Sequence, residues 1–114
     1  MRKLTLLYRK SHMSNEAPDI LINNDTQIIE AAGRLKVLAH PLRLKIICQL
    51  GHGEKTVQEL IDSVGTSQSN VSQHLAIMRD KGVLNCRKNA TQVIYKVASN
   101  STIELVQLLK TFSS

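Results

Sequence analysis

Residues 56–82, TVQELIDSVGTSQSNVSQHLAIMRDKG, constrain the fold most, because they hold two capped amphipathic helices joined at a glycine by a short turn. Thr56 and Glu59 have capping-box spacing: the hydroxyl accepts from the first free amides while the carboxylate reaches back to the cap. Val57, Leu60, Ile61 and Val64 recur on one helical face, and Gly65 supplies a left-handed stop. Ser67 is a good N-cap for the second helix. Val71, Leu75 and Met78 form that helix's apolar stripe, and Gly82 closes it. The spacing predicts a helix-turn-helix, a unit that reads DNA.

The side chains left outside the second helix are Gln68, Ser69, Ser72, Gln73 and Ala76, all short, neutral or small. An ordinary solvated helix face is rich in Glu and Lys, which combine helix propensity with solubility. Here the N-terminal half carries no charge. With the positive end of the helix dipole beside them, Gln and Ser suit the major groove, where they meet base edges or phosphates. The alternative is a solvated helix that simply lacks charge.

After Gly82, residues 83–88 and 91–97 are β-prone, with Val93, Tyr95 and Val97 alternating against Gln92, Ile94 and Lys96. The pattern predicts a hairpin turning at Asn89-Ala90, with Arg87, Lys88 and Gln92 near its tip. A hairpin directly after a recognition helix is a wing, and basic residues at its end can touch the sugar-phosphate backbone or the minor groove. A merely solvated hairpin tip is the competing reading.

Three more helices complete the pattern. Asn24 or Asp25 caps a first helix with the stripe Ile28, Ile29, Ala32, Leu35 and Leu38. His40-Pro41 opens a second, with Pro at its first position and Leu42, Ile46, Ile47 and Leu50 facing the core. Ser101 and Glu104 have capping-box spacing for a last helix carrying Leu105, Leu108, Leu109 and Phe112. The expected order is α-α-α-α-β-β-α: mostly α with a β-hairpin wing, a winged helix-turn-helix. Its first and last helices carry more apolar positions than one small core covers, so the fold is expected to be dimeric.

Charge and composition set the bounds. The chain has 114 residues and a net charge of +6. Arg2, Lys3, Arg9 and Lys10 lie in the first thirteen residues without an acid, leaving 11 of the 15 basic residues against 9 acidic ones beyond them. Placement on the second helix and wing therefore carries more of the argument than global charge. With two Tyr, one Phe and no Trp, an aromatic base-stacking platform lacks material. Residues 1–24 read as a poorly ordered extension and 25–114 as one DNA-binding and dimerisation domain. No apolar run serves as a secretion signal or membrane span, so the chain is expected to be cytoplasmic, with no membrane partner. Enzyme motifs such as a Gly-rich phosphate loop or nucleophile elbow are missing, so no catalytic role and no cofactor are expected.

The runs LKVLAHPLRLKIICQL (35–50), SQSNVSQHLAIMRDKGVLNCRK (67–88) and TQVIYKV (91–97) resemble the ArsR (ArsR/SmtB) transcriptional repressors of bacteria, and the resemblance covers residues 26–112. It implies a homodimeric repressor that leaves a two-fold operator on double-stranded DNA when an inducer binds or a thiol is modified. By position, Gln68, Ser69, Ser72, Gln73 and His74 match the family's DNA-reading helix. Similar metal sensors carry a Cys-x-Cys in the third helix or an Asp/His and His/Glu set along the last. Here the third helix has neither Cys nor His, and the last offers Glu104 alone, so no metal site is assigned.

The two cysteines bear on the signal. Cys48 lies where the branch similar to BigR and HlyU has its first sensor thiol. That branch's second thiol, in the last helix, has no counterpart here, and Cys86 stands instead in the first wing strand. Cys48 and Cys86 are the candidate sensor thiols; the alternative is two small hydrophobes filling gaps. A metal-responsive repressor with a non-standard site, and a winged-helix protein-interaction module without DNA binding, are the other functional readings.

Overall fold

The computed structural model describes residues 21–112. The expectations for residues 1–20 lie outside the described residues. The elements are α1 (Asp25–Leu38), α2 (Pro41–Leu50), β1 (Glu54–Thr56), α3 (Val57–Val64), α4 (Gln68–Asp80), β2 (Leu84–Asn89), β3 (Gln92–Val97) and α5 (Asn100–Phe112). The chain divides between Leu35 and Lys36 into two compact units.

In the first unit α1 begins at a cap. The Asn24 side chain accepts from the Gln27 amide at 3.2 Å, and its carbonyl accepts from the Ile28 amide at 2.9 Å. Of the two capping candidates, Asn24 is the one used. Ile29 and Leu35 stay exposed.

The second unit is a winged helix. His40 caps α2, its imidazole Nδ1 accepting from the Leu42 amide at 3.1 Å, with Pro41 in the first position, where a missing N–H costs nothing. Thr56 and Glu59 close the capping box of α3 reciprocally, at 3.1 and 2.9 Å. Gly65 ends that helix at φ 80°, a conformation a Cβ disfavours. Ser67 then caps α4 by accepting from the Asn70 amide at 3.2 Å.

The core gathers side chains from the helices and the hairpin: Ile46 and Ile47 of α2, Leu60 of α3, Val71, Leu75 and Met78 of α4, and Leu84 of β2 are all almost fully buried. Tyr95 and Val97 of β3 close it on the sheet side, and Ile103 of α5 covers one end. Each fully buried Leu or Ile contributes about 1.5–3 kcal/mol relative to exposure, so this cluster fixes how α4 sits on α2 and α3.

Three features depart from the sequence expectation. The sheet has three antiparallel strands in the order β1-β3-β2, so a short strand before α3 joins the hairpin. Glu54 pairs with Lys96, Lys55 with Tyr95 and Thr56 with Ile94. The hairpin turns one residue later than expected: Asn89 still pairs with Gln92, leaving Ala90 and Thr91 as the loop. The last helix begins at Asn100, and its cap is Ser99, whose hydroxyl accepts from the Ser101 amide at 3.2 Å. Glu104 is held instead by the Asn100 side-chain amide at 3.1 Å, one turn earlier, so the Ser101/Glu104 box does not form.

Ala90 carries φ 58° and is the one non-glycine with positive φ among the described residues. Two-residue hairpin loops place glycine or asparagine at such positions because the left-handed region crowds a Cβ. Ala90→Gly is expected to raise stability by about 0.5–1 kcal/mol, the relieved strain exceeding the added chain entropy. Urea unfolding should show a higher midpoint at an unchanged slope.

Candidate nucleic-acid interface

The interface is built on α4. Because Val71, Leu75 and Met78 face the core, helical geometry turns Gln68, Ser69, Ser72 and Gln73 outward, and all four are exposed. Gln68, Ser72 and Gln73 make no side-chain hydrogen bond to any described residue, and Ser69 makes only a 3.5 Å contact with Ser67. Their donors and acceptors are therefore open to a ligand. The cap residues are already engaged: Asn70 Nδ2 donates to Thr66 Oγ1 at 3.3 Å. Behind the turn, Lys45 Nζ donates to the Val64 carbonyl at 2.8 Å, tying α2 to the last turn of α3.

His74 is placed differently from its four neighbours. It sits on the inward side at 9% exposure, and its Nδ1 accepts from Arg43 Nε at 3.1 Å. Burial, then the neighbouring His40 and Arg43, hold its imidazole below the usual histidine range. The His74 imidazole is thus turned into the protein, whereas Gln68, Ser69, Ser72 and Gln73 present their side chains outward.

The wing adds a second surface. Lys88 and Gln92 are exposed beside the Ala90-Thr91 loop. Arg87, also exposed, is engaged across the sheet: its Nε lies 3.1 Å from Glu54 Oε2. Arg87 and Glu54 sit on strands flanking β3, opposite Ile94 and Lys96 on the same sheet face, so the pair spans the middle strand. Sequence reasoning missed Glu54 because β1 is three residues long and is defined only by its partner. Arg43 was missed for the same reason, as its contact with His74 crosses 31 positions.

The geometry agrees with three comparisons. Residues 40–85 match the family described as bacterial regulatory protein, arsR family. The biofilm growth-associated repressor of Xylella fastidiosa (strain 9a5c) is 34% identical over 102 residues, spanning 90% of this chain and 84% of the relative. The chain belongs to the ArsR family of bacterial DNA-binding regulators. Among solved structures, HlyU from Vibrio cholerae superposes with a TM-score of 0.73 at 36% identity, covering 78% of this chain and 97% of that one. The transcriptional repressor BigR from Xylella fastidiosa gives 0.72 at 35% identity, covering 77% and 90%. The likeness to BigR and HlyU places this ArsR-family chain nearest that branch.

Both cysteines of this ArsR-family chain are free and exposed. Cys48 lines a cavity of about 470 Å³ with Leu44 and Ile47 of α2 and Ile103 and Val106 of α5. Cys86 pairs with Tyr95 across the β2–β3 ladder. Burial pushes the Tyr95 phenol up, and the adjacent Cys86 thiol adds to the shift, while Arg79 at the end of α4 opposes it. The two thiols thus have separate surroundings that share no residue. Among the described residues no group of three or more His, Cys, Asp or Glu side chains is arranged to hold a metal ion, and no helix is long and apolar enough to cross a membrane.

The Arg87 guanidinium, first by hydrogen bonding and then by charge, holds the Glu54 carboxyl below its usual range. A depressed carboxylate pKa contributes stability above its unfolded value that is lost as pH falls, although exposure keeps that contribution small. In an NMR titration, Glu54 should ionise below the ordinary glutamate range, and Arg87→Ala should return it there.

Proposed function

We propose that the chain is a homodimeric, sequence-specific repressor that binds a two-fold operator through paired α4 helices, with residues 25–114 acting as one DNA-binding and dimerisation domain in the cytoplasm and no enzymatic role. One observation carries this reading: a neutral polar face on a helix whose opposite side is locked into the core. Gln68, Ser69, Ser72 and Gln73 are assigned to base edges and adjoining phosphates, since Gln and Ser can both donate and accept there. Lys88 and Gln92 are assigned to the backbone beside the wing. Arg87 is assigned there too, once DNA competes with Glu54 for its guanidinium. A protein-interaction module would instead present an apolar or charged recognition face.

Dimerisation is inferred from apolar side chains left in water. Ile29 and Leu35 of α1 are 68% and 53% exposed, and Leu108 and Phe112 of α5 are 60% and 83% exposed. Apolar stripes of this kind mark association surfaces in soluble proteins. A second copy covers them and, by two-fold symmetry, sets two α4 helices about one helical turn of DNA apart.

The test is binding to a duplex selected from a random library. Gln73→Ala should cost about 1–3 kcal/mol on the selected duplex and relax one base position. Lys88→Ala should instead weaken selected and random duplexes alike and flatten the salt dependence by about one phosphate contact. Light scattering should report a dimer that binds one duplex. Equal losses on both duplexes from every change on α4 would reject the recognition-helix assignment.

For the signal, we assign Cys48. It is exposed at a cavity between α2 and α5, so an adduct on its sulfur presses on a helix that carries the dimer's apolar side chains. It stands in the last turn of α2, two residues before the helix ends at Leu50. Polysulfide or peroxide should release DNA from the parent and Cys86→Ser chains but not from Cys48→Ser, with adducts read by mass spectrometry. Identical responses from all three would remove both thiols from signalling.

A further inference from the structure

Arg43 reaches three parts of the second unit. Its Nη1 donates to the Val37 carbonyl at 3.0 Å, in the last turn of α1, where carbonyls lack helical partners. Its Nε donates to His74 Nδ1 at 3.1 Å on α4, and its backbone belongs to α2. Guanidinium is a rigid planar fork of donors, so two such bonds fix relative direction as well as distance.

The bond to His74 specifies its protonation state. A ring nitrogen that accepts from a guanidinium N–H carries no proton, so His74 is neutral with its hydrogen on Nε2. His40 lies beside it, ring centroids 4.4 Å apart, and its Nδ1 likewise accepts, from the Leu42 amide. The groups facing His74 are thus a permanent cation and a second imidazole, and no carboxylate among the described residues bonds any of the three. A proton on Nδ1 would set two N–H donors head to head and add a charge beside Arg43.

We propose that Arg43 and His74 are positioning residues for DNA reading: the neutral imidazole, held by the guanidinium, fixes the angle at which Gln68, Ser69, Ser72 and Gln73 face the groove, and protonation of His74 releases the helix from that angle. The inference rests on the DNA-reading role of α4 proposed above. Neither residue touches DNA in this scheme. The sign follows from the structure: folding favours the neutral ring, so the latch is fully closed above the ordinary histidine range and opens as pH falls below it. Selective binding weakens on acidification, whereas binding to random duplex, which depends on phosphate contacts, does not weaken with it.

The experiment uses the full chain at constant ionic strength, with a library-selected duplex and a random duplex, between pH 7.5 and 5.5. The ratio of the two affinities should fall by about tenfold, the equivalent of one good base contact. His74→Gln keeps an acceptor for Arg43 without a titratable ring, so it should retain the ratio at pH 7.5 and lose the pH dependence. Arg43→Lys cannot make the fork and should lower the ratio at pH 7.5, with thermal melts showing that each variant is folded. In parallel, NMR on the DNA-free chain should place the His74 midpoint below the ordinary range, with α4 amides shifting at that same midpoint. A parent-like pH profile in His74→Gln, a profile abolished by His40→Gln instead, or α4 amides that ignore the His74 titration would overturn the latch. If the NMR result holds and no duplex is preferred at pH 7.5, the reading role of α4 fails and the latch stands as a proton-linked helix contact alone.

Discussion

The structure depends on burying one side of a 13-residue helix, Gln68–Asp80. Val71, Leu75 and Met78 contribute most of that buried side, and their seat in the core shared with Ile46, Ile47 and Leu60 decides which side of the helix faces inward. The outward set follows from the 3.6-residue period, so the core decides which side chains can meet a ligand. Close packing makes this stringent, because a core at crystal-like density tolerates little rotation before side chains clash. Specific recognition in a protein this small thus begins with apolar residues that never touch the ligand.

Much of this arrangement was legible in the sequence because it is encoded locally. Thr56 with Glu59, Ser67, Gly65 and His40-Pro41 mark helix ends through bonds spanning at most a few positions, and each is found as read. The apolar stripe of α4 likewise needed only its own period. The features not legible are those fixed by distant partners. Strand β1 has three residues and exists because β3 lies beside it. Arg87 looked like an available cation until β1 brought Glu54 across the sheet. The Ser101/Glu104 spacing fits a capping box, yet Ser99 takes the cap and Asn100 holds Glu104. His74 reads as one more polar residue in a polar run, and its partners Arg43 and His40 lie more than thirty positions away.

Charge is distributed in keeping with this division. The outward N-terminal half of α4 is neutral, and four cations elsewhere in the unit are already engaged: Arg43 and Lys45 with carbonyls and an imidazole, Arg79 with Asp80 and Arg87 with Glu54. Exposed pairs of that sort contribute little to stability, but they lower the field that would attract any polyanion without discrimination. Weak general attraction leaves directional hydrogen bonds a larger share of the binding energy.

Thr56 holds two positions at once. It is the last residue of β1, paired with Ile94 in the middle strand, and the N-cap of α3, bonded to Glu59. No linker separates the wing from the helix-turn-helix at this joint, so no chain slack exists to absorb displacement. A displacement of the hairpin has a short path through β3 and β1 to the first turn of α3, and through the shared core to α4. Wing and helix-turn-helix are thus joined at Thr56 without an intervening linker, so a displacement of the sheet edge and a displacement of the first turn of α3 are felt at the same residue.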